Sequence, residues 1–218
     1  MTDLIQTFAV YALPIVFAIT LHEAAHAYAA KYFGDNTAYS LGRMSLNPIK
    51  HIDPIGTLLI PIVLFFLQSP FLFGYAKPVP VEFGRLRNPK RDMAWVALAG
   101  PGANFVMALM WLLFSIGLLA FGISEPYFLK MAKAGVETNL VILAFNLFPI
   151  PPLDGGRVMT SILPNRQAYQ YAKLEPYGFF IVLALAYLHV LNFWMVPVIS
   201  IVQGVLQWLL TPFTIFLS

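Results

Sequence analysis

Thr20-Leu21-His22-Glu23-Ala24-Ala25-His26 decides how the rest of the chain is read. It closes a run that starts at Leu4 and is nearly all apolar through Leu21, including Ile5, Phe8, Val10, Leu13, Phe17 and Ile19. Ionisable groups carried into a bilayer are costly, so they mark function rather than packing. On a helix, His22 and His26 at i and i+4 share one face, and both rings can reach one ion. Two imidazoles suit zinc, and Glu23 beside them can act as general base toward a water that the metal activates. Catalytic zinc takes three protein ligands and keeps one position open. The motif therefore demands a third ligand elsewhere.

The composition places this motif in a membrane. Of 218 residues, 59% are hydrophobic and 11% charged, and mean hydropathy is +0.74. A soluble domain carries about 25% charged residues. The expected fold is an all-α polytopic membrane protein with five to six transmembrane helices, forming one membrane-embedded domain over residues 1–218. Its catalytic core covers about 4–165, and a C-terminal helical hairpin covers about 170–218. Met1-Thr2-Asp3 lacks the basic start of a secretory signal, so the first helix is expected to stay. No Cys is present, which excludes disulfides and thiolate ligands and leaves His, Asp, Glu or Asn to hold a metal. The pI near 9.1 comes from Lys and Arg flanking the spans, as membrane insertion favours, and not from a nucleic-acid surface.

Segment one runs over about 4–33 and ends at Gly34-Asp35-Asn36, a helix stop and turn. Residues 35–54 are polar and turn-rich. Segment two, Ile55 to Phe73, contains Pro61 and is broken at Gln68-Ser69-Pro70. Its apolar run, Leu58 to Leu67, is short for a span and reads as re-entrant. Gly74-Tyr75-Ala76-Lys77-Pro78-Val79-Pro80-Val81 reads as extended chain or an edge strand, because its prolines cannot donate to a ladder. A re-entrant or extended segment is thus expected over 55–81. Segment three, about 93–122, is a clear span containing Gly100-Pro101-Gly102-Ala103-Asn104, where small residues allow close helix contact. A polar link is expected over 123–136. Segment four, about 137–163, starts as a helix and breaks around 146–157 at Pro149, Pro151, Pro152, Gly155 and Gly156. Segments five (177–193) and six (195–217) follow, joined at Trp194.

The third ligand is expected at Asp154, an acidic residue deep in segment four within this irregular backbone. Such backbone is tolerated at membrane depth only where protein buries it or it lines a cavity. His51, in a polar loop, reads as structural or as a hydrogen-bond donor behind one of the metal's ligands. His189 lies near a span end and reads as interfacial.

His22 lies about 18 residues into segment one and Asp154 about 17 into segment four. At 1.5 Å per residue, each is roughly 26 Å along its helix. They reach one ion easily only if the two segments run parallel. Segment three makes one crossing, so segment two must make no net crossing. Eleven basic residues then share one face (Lys31, Arg43, Lys50, Lys77, Arg85, Arg87, Lys90, Arg91, Arg157, Arg166 and Lys173), and only Lys130 and Lys133 occupy the other. This bias places the N-terminus outside, the C-terminus inside and the site near the cytoplasmic face of the cell membrane.

His22-Glu23-Ala24-Ala25-His26, Ala99-Gly100-Pro101-Gly102-Ala103-Asn104 and Asn146-Leu147-Phe148-Pro149-Ile150-Pro151-Pro152-Leu153-Asp154-Gly155-Gly156 together resemble the site-2 protease family of intramembrane zinc metalloproteases. The resemblance covers about residues 15–165. Leu46-Asn47-Pro48-Ile49-Lys50-His51-Ile52-Asp53-Pro54 and the stretch 74–81 are similar to its compact bacterial branch. No polar stretch here is long enough for an inserted PDZ or CBS-like domain. The resemblance implies one zinc per chain on His22, His26 and Asp154, with Glu23 as catalytic base. It implies that Asn146 contacts substrate backbone and that Asn104 is the family's helix asparagine, also assigned to substrate. It implies substrates that are transmembrane-helix proteins in the lipid bilayer, cut within or near the helix. The competing reading is a non-enzymatic metal-binding membrane protein, a permease or a membrane-helix chaperone. Against it, no internal repeat is visible, and a permease has no need of Glu23 between the histidines. Substrate identity and oligomeric state are left open.

Overall fold

The helices of the computed structural model, which describes residues 2–66 and 76–215, follow from two four-residue stripes. In α1 (Thr2–Tyr32), Val10, Pro14, Ala18, His22, His26 and Ala30 recur every fourth residue, and all are buried. Short α2 (Thr37–Ser40) and α3 (Ile60–Phe66) follow. In α4 (Pro89–Ala120), Asp92, Val96, Gly100, Asn104 and Ala108 form a matching buried stripe. Every-fourth ridges on two helices interlock, and Ala and Gly along them let the backbones approach. Lipid tails are as apolar as leucine, so this close packing, not hydrophobic burial, holds such helices together.

The chain then continues through α5 (Pro126–Asn146), α6 (Asp154–Ile162), α7 (Asn165–Ala172), α8 (Glu175–Tyr187) and α9 (Asn192–Ile215). No strand occurs among the described residues. Three helical stretches there are long and apolar enough to cross a membrane, Ile5–Tyr32, Pro89–Ala120 and Asn192–Pro212, and α8 is a shorter apolar helix. The protein is an all-α polytopic membrane protein. Helices α1, α4, α5 and α6 form the central packing, and α9 backs α4 and α5.

Contacts give the helix directions. His26 meets Val96, Ala18 meets Asn104, and Val10 packs with Trp111, so α1 and α4 are antiparallel. Tyr127 hydrogen-bonds Ala9, Tyr11 bonds Glu137, and Asn104 links Ala18 to Asn139, so α1 and α5 run parallel. Between α1 and α4 the chain leaves and returns at one end of the bundle. Arg87 N–H donates to Phe33 O at 2.9 Å, and Glu82 N–H donates to Asp35 at 2.8 Å. Gly34, at φ +113°, turns the chain out of α1, and a side chain there would also press on Arg87.

Two expectations change in detail. The link expected over 123–136 is helical from Pro126 onward. Lys130 and Lys133 lower its hydropathy, but they are exposed while Met131, Ala132, Ala134 and Gly135 are buried, so the stretch is one amphipathic start of α5. Segment two begins as a π-helical turn, Pro54–Leu59, and continues into α3; its remainder from 67, with Gly74 and Tyr75, lies outside the described residues. Residues 76–82 form neither helix nor strand. Lys77 N–H donates to His51 O at 2.9 Å, and the Arg43 guanidinium straps the carbonyls of Lys77 and Pro78 at 2.9 and 3.3 Å.

Candidate metal centre and active site

Three helices build the centre. α1 presents His22 and His26 one turn apart, and α6 begins at Asp154. Asp154 reaches them because Pro149–Leu153 folds back on the start of α6: a Cβ on Gly156 would collide with the backbone of Ile150 and Pro151, and one on Gly155 with that of Leu147 and Phe148. Only glycine fits such close approach. The Pro151–Pro152 bond is cis. α4 supplies the floor, where Gly100 faces both imidazoles.

The ring protons can be assigned from carbonyls, which only accept. His26 Nδ1 lies 2.8 Å from Val96 O, so this nitrogen carries the proton and Nε2 is bare in the neutral ring. His22 is fixed through a longer chain. Asn139 Nδ2 donates to Gly135 O at 2.8 Å. Asn139 Oδ1 therefore accepts from Asn104 Nδ2 at 2.9 Å, and the same nitrogen donates to Ala18 O at 3.2 Å. Asn104 Oδ1 is left to accept from His22 Nδ1 at 2.6 Å. His22 Nε2 is bare as well.

The two bare nitrogens lie 3.1 Å apart, and Asp154 Oδ2 lies 3.2 and 3.3 Å from them. This oxygen is buried and receives no hydrogen bond. With both rings neutral, three lone pairs converge with no proton between them, which a buried site does not sustain without a cation. A tetrahedral zinc with ligands at about 2.0–2.1 Å has ligand–ligand edges of roughly 3.3 Å. The donor set fits that ion, and among the described residues no fourth His, Asp or Glu joins the cluster.

Glu23 points to the other flank. Its Oε2 accepts the N–H of Val79 at 2.8 Å, and Val79 packs on Ala27 and Ala38. The extended segment is thereby laid against the motif. Asp35 anchors the far end of this segment. Burial alone would raise its pKa, but hydrogen bonds from Thr37 and from Glu82 N–H, with Arg85 nearby, hold it below the usual carboxylate value.

The remaining expected site residues lie elsewhere. Asn104 is fully buried, and its amide is taken up by His22, Ala18 and Asn139, which puts it behind a metal-facing ring and not on a surface open to substrate. Asn146 is partly buried at the end of α5, where its Nδ2 donates to Ile142 O at 3.0 Å. His51 is buried; its Nε2 donates to Ser45 O at 2.8 Å, and its carbonyl tethers Lys77. Its contacts do not include the three converging side chains. The sequence reading passed over Asn139, Gly100's contact with the rings, and the N–H of Val79. Asn139 carried a usable signal, an amide within a buried helix face. The Val79 contact is pure backbone and leaves no residue-type signature.

An apolar helical bundle enclosing two imidazoles, a buried carboxylate and an adjacent glutamate fits the class of membrane metalloproteases. Comparison with known proteins agrees. The profile of Peptidase family M50 matches residues 122–189. The chain is 35% identical over 184 residues to the protein named "Putative zinc metalloprotease YwhC" of Bacillus subtilis, covering 79% of this chain and 78% of that protein. It is 29% identical over 187 residues to "Putative zinc metalloprotease Rip2" of Mycolicibacterium smegmatis, covering 82% and 67%. No solved structure matches. The chain belongs to peptidase family M50, the site-2 protease family.

Proposed function

We propose that the protein hydrolyses peptide bonds within or near the transmembrane helices of other membrane proteins, with zinc held by His22, His26 and Asp154. The observation that carries this reading is the convergence of three buried lone pairs beside Glu23, with His22, Glu23 and His26 on a helix apolar enough to cross a membrane. Zinc, when bound, supplies a Lewis acid that polarises the scissile carbonyl and makes water acidic near neutral pH. Glu23 takes the proton from the attacking water and hands it to the leaving amine. Asn104 and Asn139 keep His22 in one tautomer, and Val96 O does the same for His26.

A substrate helix hides its amides in internal bonds, so it unwinds before attack. The segment Ala76–Val81 receives the freed backbone by strand addition, and Asn146 adds a side-chain contact. Pro78 and Pro80 have no N–H, and Lys77 N–H is taken by His51. The donor nearest the chemistry is therefore Val79 N–H, which Glu23 releases as it takes up water. In the cell membrane the site faces the cytoplasm, on the side rich in Lys and Arg.

Glu23→Gln tests the reaction: zinc content stays at one per chain while cleavage of a co-expressed single-span substrate stops. A variant that still cuts at the normal rate refutes the role of Glu23 and favours a non-enzymatic metal protein. Cysteines placed at 40 and 84, both exposed, are expected to label from the same, cytoplasmic side; labelling from opposite sides refutes the topology.

A further inference from the structure

α9 carries two carboxamides where a lone membrane span has no use for them. Asn192–Pro212 is a 21-residue apolar stretch with hydropathy 1.7. Gln203 lies next to its midpoint and Gln207 one turn on. At 1.5 Å per residue, both fall within about 8 Å of the middle of a hydrocarbon core roughly 30 Å thick. Both are exposed on the surface of the single chain, and neither amide has a partner among the described residues. Each brings two N–H donors and a carbonyl to a depth where water cannot satisfy them.

The helix does not need this flank for its own packing. Leu206 and Leu210 are buried, and Leu206 with Ile199 and Val202 docks on Ala108 and Leu140 of α4 and α5. At 100° per residue, Ser200, Gly204 and both glutamines lie together on the neighbouring flank. A Cβ on Gly204 would meet nothing within 4 Å, so none of the described residues fills the space above it.

We propose that this flank of α9 is a dimer interface, and that its occupant is a second copy of the chain. A carboxamide both donates and accepts, so identical amides satisfy each other reciprocally. Two copies inserted the same way in a bilayer can share a two-fold axis along the membrane normal. That axis sets Gln203 against Gln203 and Gln207 against Gln207 at equal depth, and Gly204 lets the backbones close in. A helix of unrelated sequence would need its own polar groups at both heights.

The absence of cysteine makes the test direct. In membranes under mild oxidation, Ser200→Cys and Gly204→Cys each give a species at twice 24.3 kDa. Ile201→Cys, exposed on another face of the same helix, does not. Gln203→Leu with Gln207→Leu weakens self-association about tenfold, because the interhelical amide hydrogen bonds at both heights are lost together. Self-association is read by energy transfer between labelled copies diluted in lipid. Zinc content of the double variant is unchanged, because neither glutamine touches the centre, and this shows that the fold survives. Equal cross-linking at all three positions, no doubled species, a product with the mass of another protein, or undiminished association of the double variant each overturns the proposal.

Discussion

Gly100→Ala asks whether α4 sets the geometry of the metal centre. The new Cβ would stand 2.6 Å from Cε1 of both His22 and His26, and nearer still to His26 Nε2. Carbon atoms rest at about 3.5–4.0 Å, so the rings or the two helices must part by roughly 1 Å. Ligand distances in a metal site hold to about ±0.2 Å, so a displacement of that size cannot be absorbed without loss of a ligand or of its angle. Overpacking of this kind costs about 1–3 kcal/mol, which is roughly a 5- to 150-fold loss of zinc affinity. Gly102→Ala is the control. It lies half a turn away in the same helix, and its Cβ meets nothing within 4 Å. Both substitutions gain the same helix propensity, about 1 kcal/mol, so their difference isolates the clash. The assay is zinc retention against a competing chelator in purified, detergent-solubilised protein, with helical content as the fold check. If folded Gly100→Ala holds zinc as tightly as Gly102→Ala, the close approach of α4 to the imidazoles is wrong.

Asn104→Leu removes the acceptor for His22 Nδ1–H and leaves Asn139 Oδ1 without its donor; zinc affinity is expected to fall about 10- to 100-fold, read by the same competition. Asn104→Asp restores an acceptor at His22 and should recover part of the loss, which a merely steric role would not produce. Asp35 has a depressed pKa, so its contribution to stability is present above the ordinary carboxylate value of about 3.9 and is lost as pH falls through the lower folded value. Hydrogen exchange of the Glu82 amide should therefore speed up in that acid range, while Asp35→Asn exchanges faster at every pH without the acid step.

The parts of this site that were legible before the structure share a cause. His22, Glu23, His26 and Asp154 are costly in lipid, so their presence in apolar segments already needed an explanation. The requirement that they meet forced α1 and α5 to run parallel, and it forced residues 34–87 to return to the end they left. Hydropathy misplaced the start of α5, because Lys130 and Lys133 are exposed residues on a helix whose other face is buried. The motif resemblance assigned Asn104 to substrate. Here its amide is taken up by Ala18, Asn139 and His22 and sets the tautomer of His22. The Val79 contact was invisible for a simpler reason: any non-proline residue has the same N–H.

The parallel pairing of α1 with α5 has a consequence for biosynthesis. His22 and His26 enter the membrane with the first helix, but Asp154 is made about 130 residues later. At about 5–20 residues per second, roughly 6–26 seconds of translation separate them. During that interval the two imidazoles can meet α4, which follows first, while the carboxylate that completes their ion site does not yet exist. With the proposed ligand set, the nascent chain would lack a complete ion site until about seven-tenths of it has been synthesised, and metal loading would be a late event in its assembly.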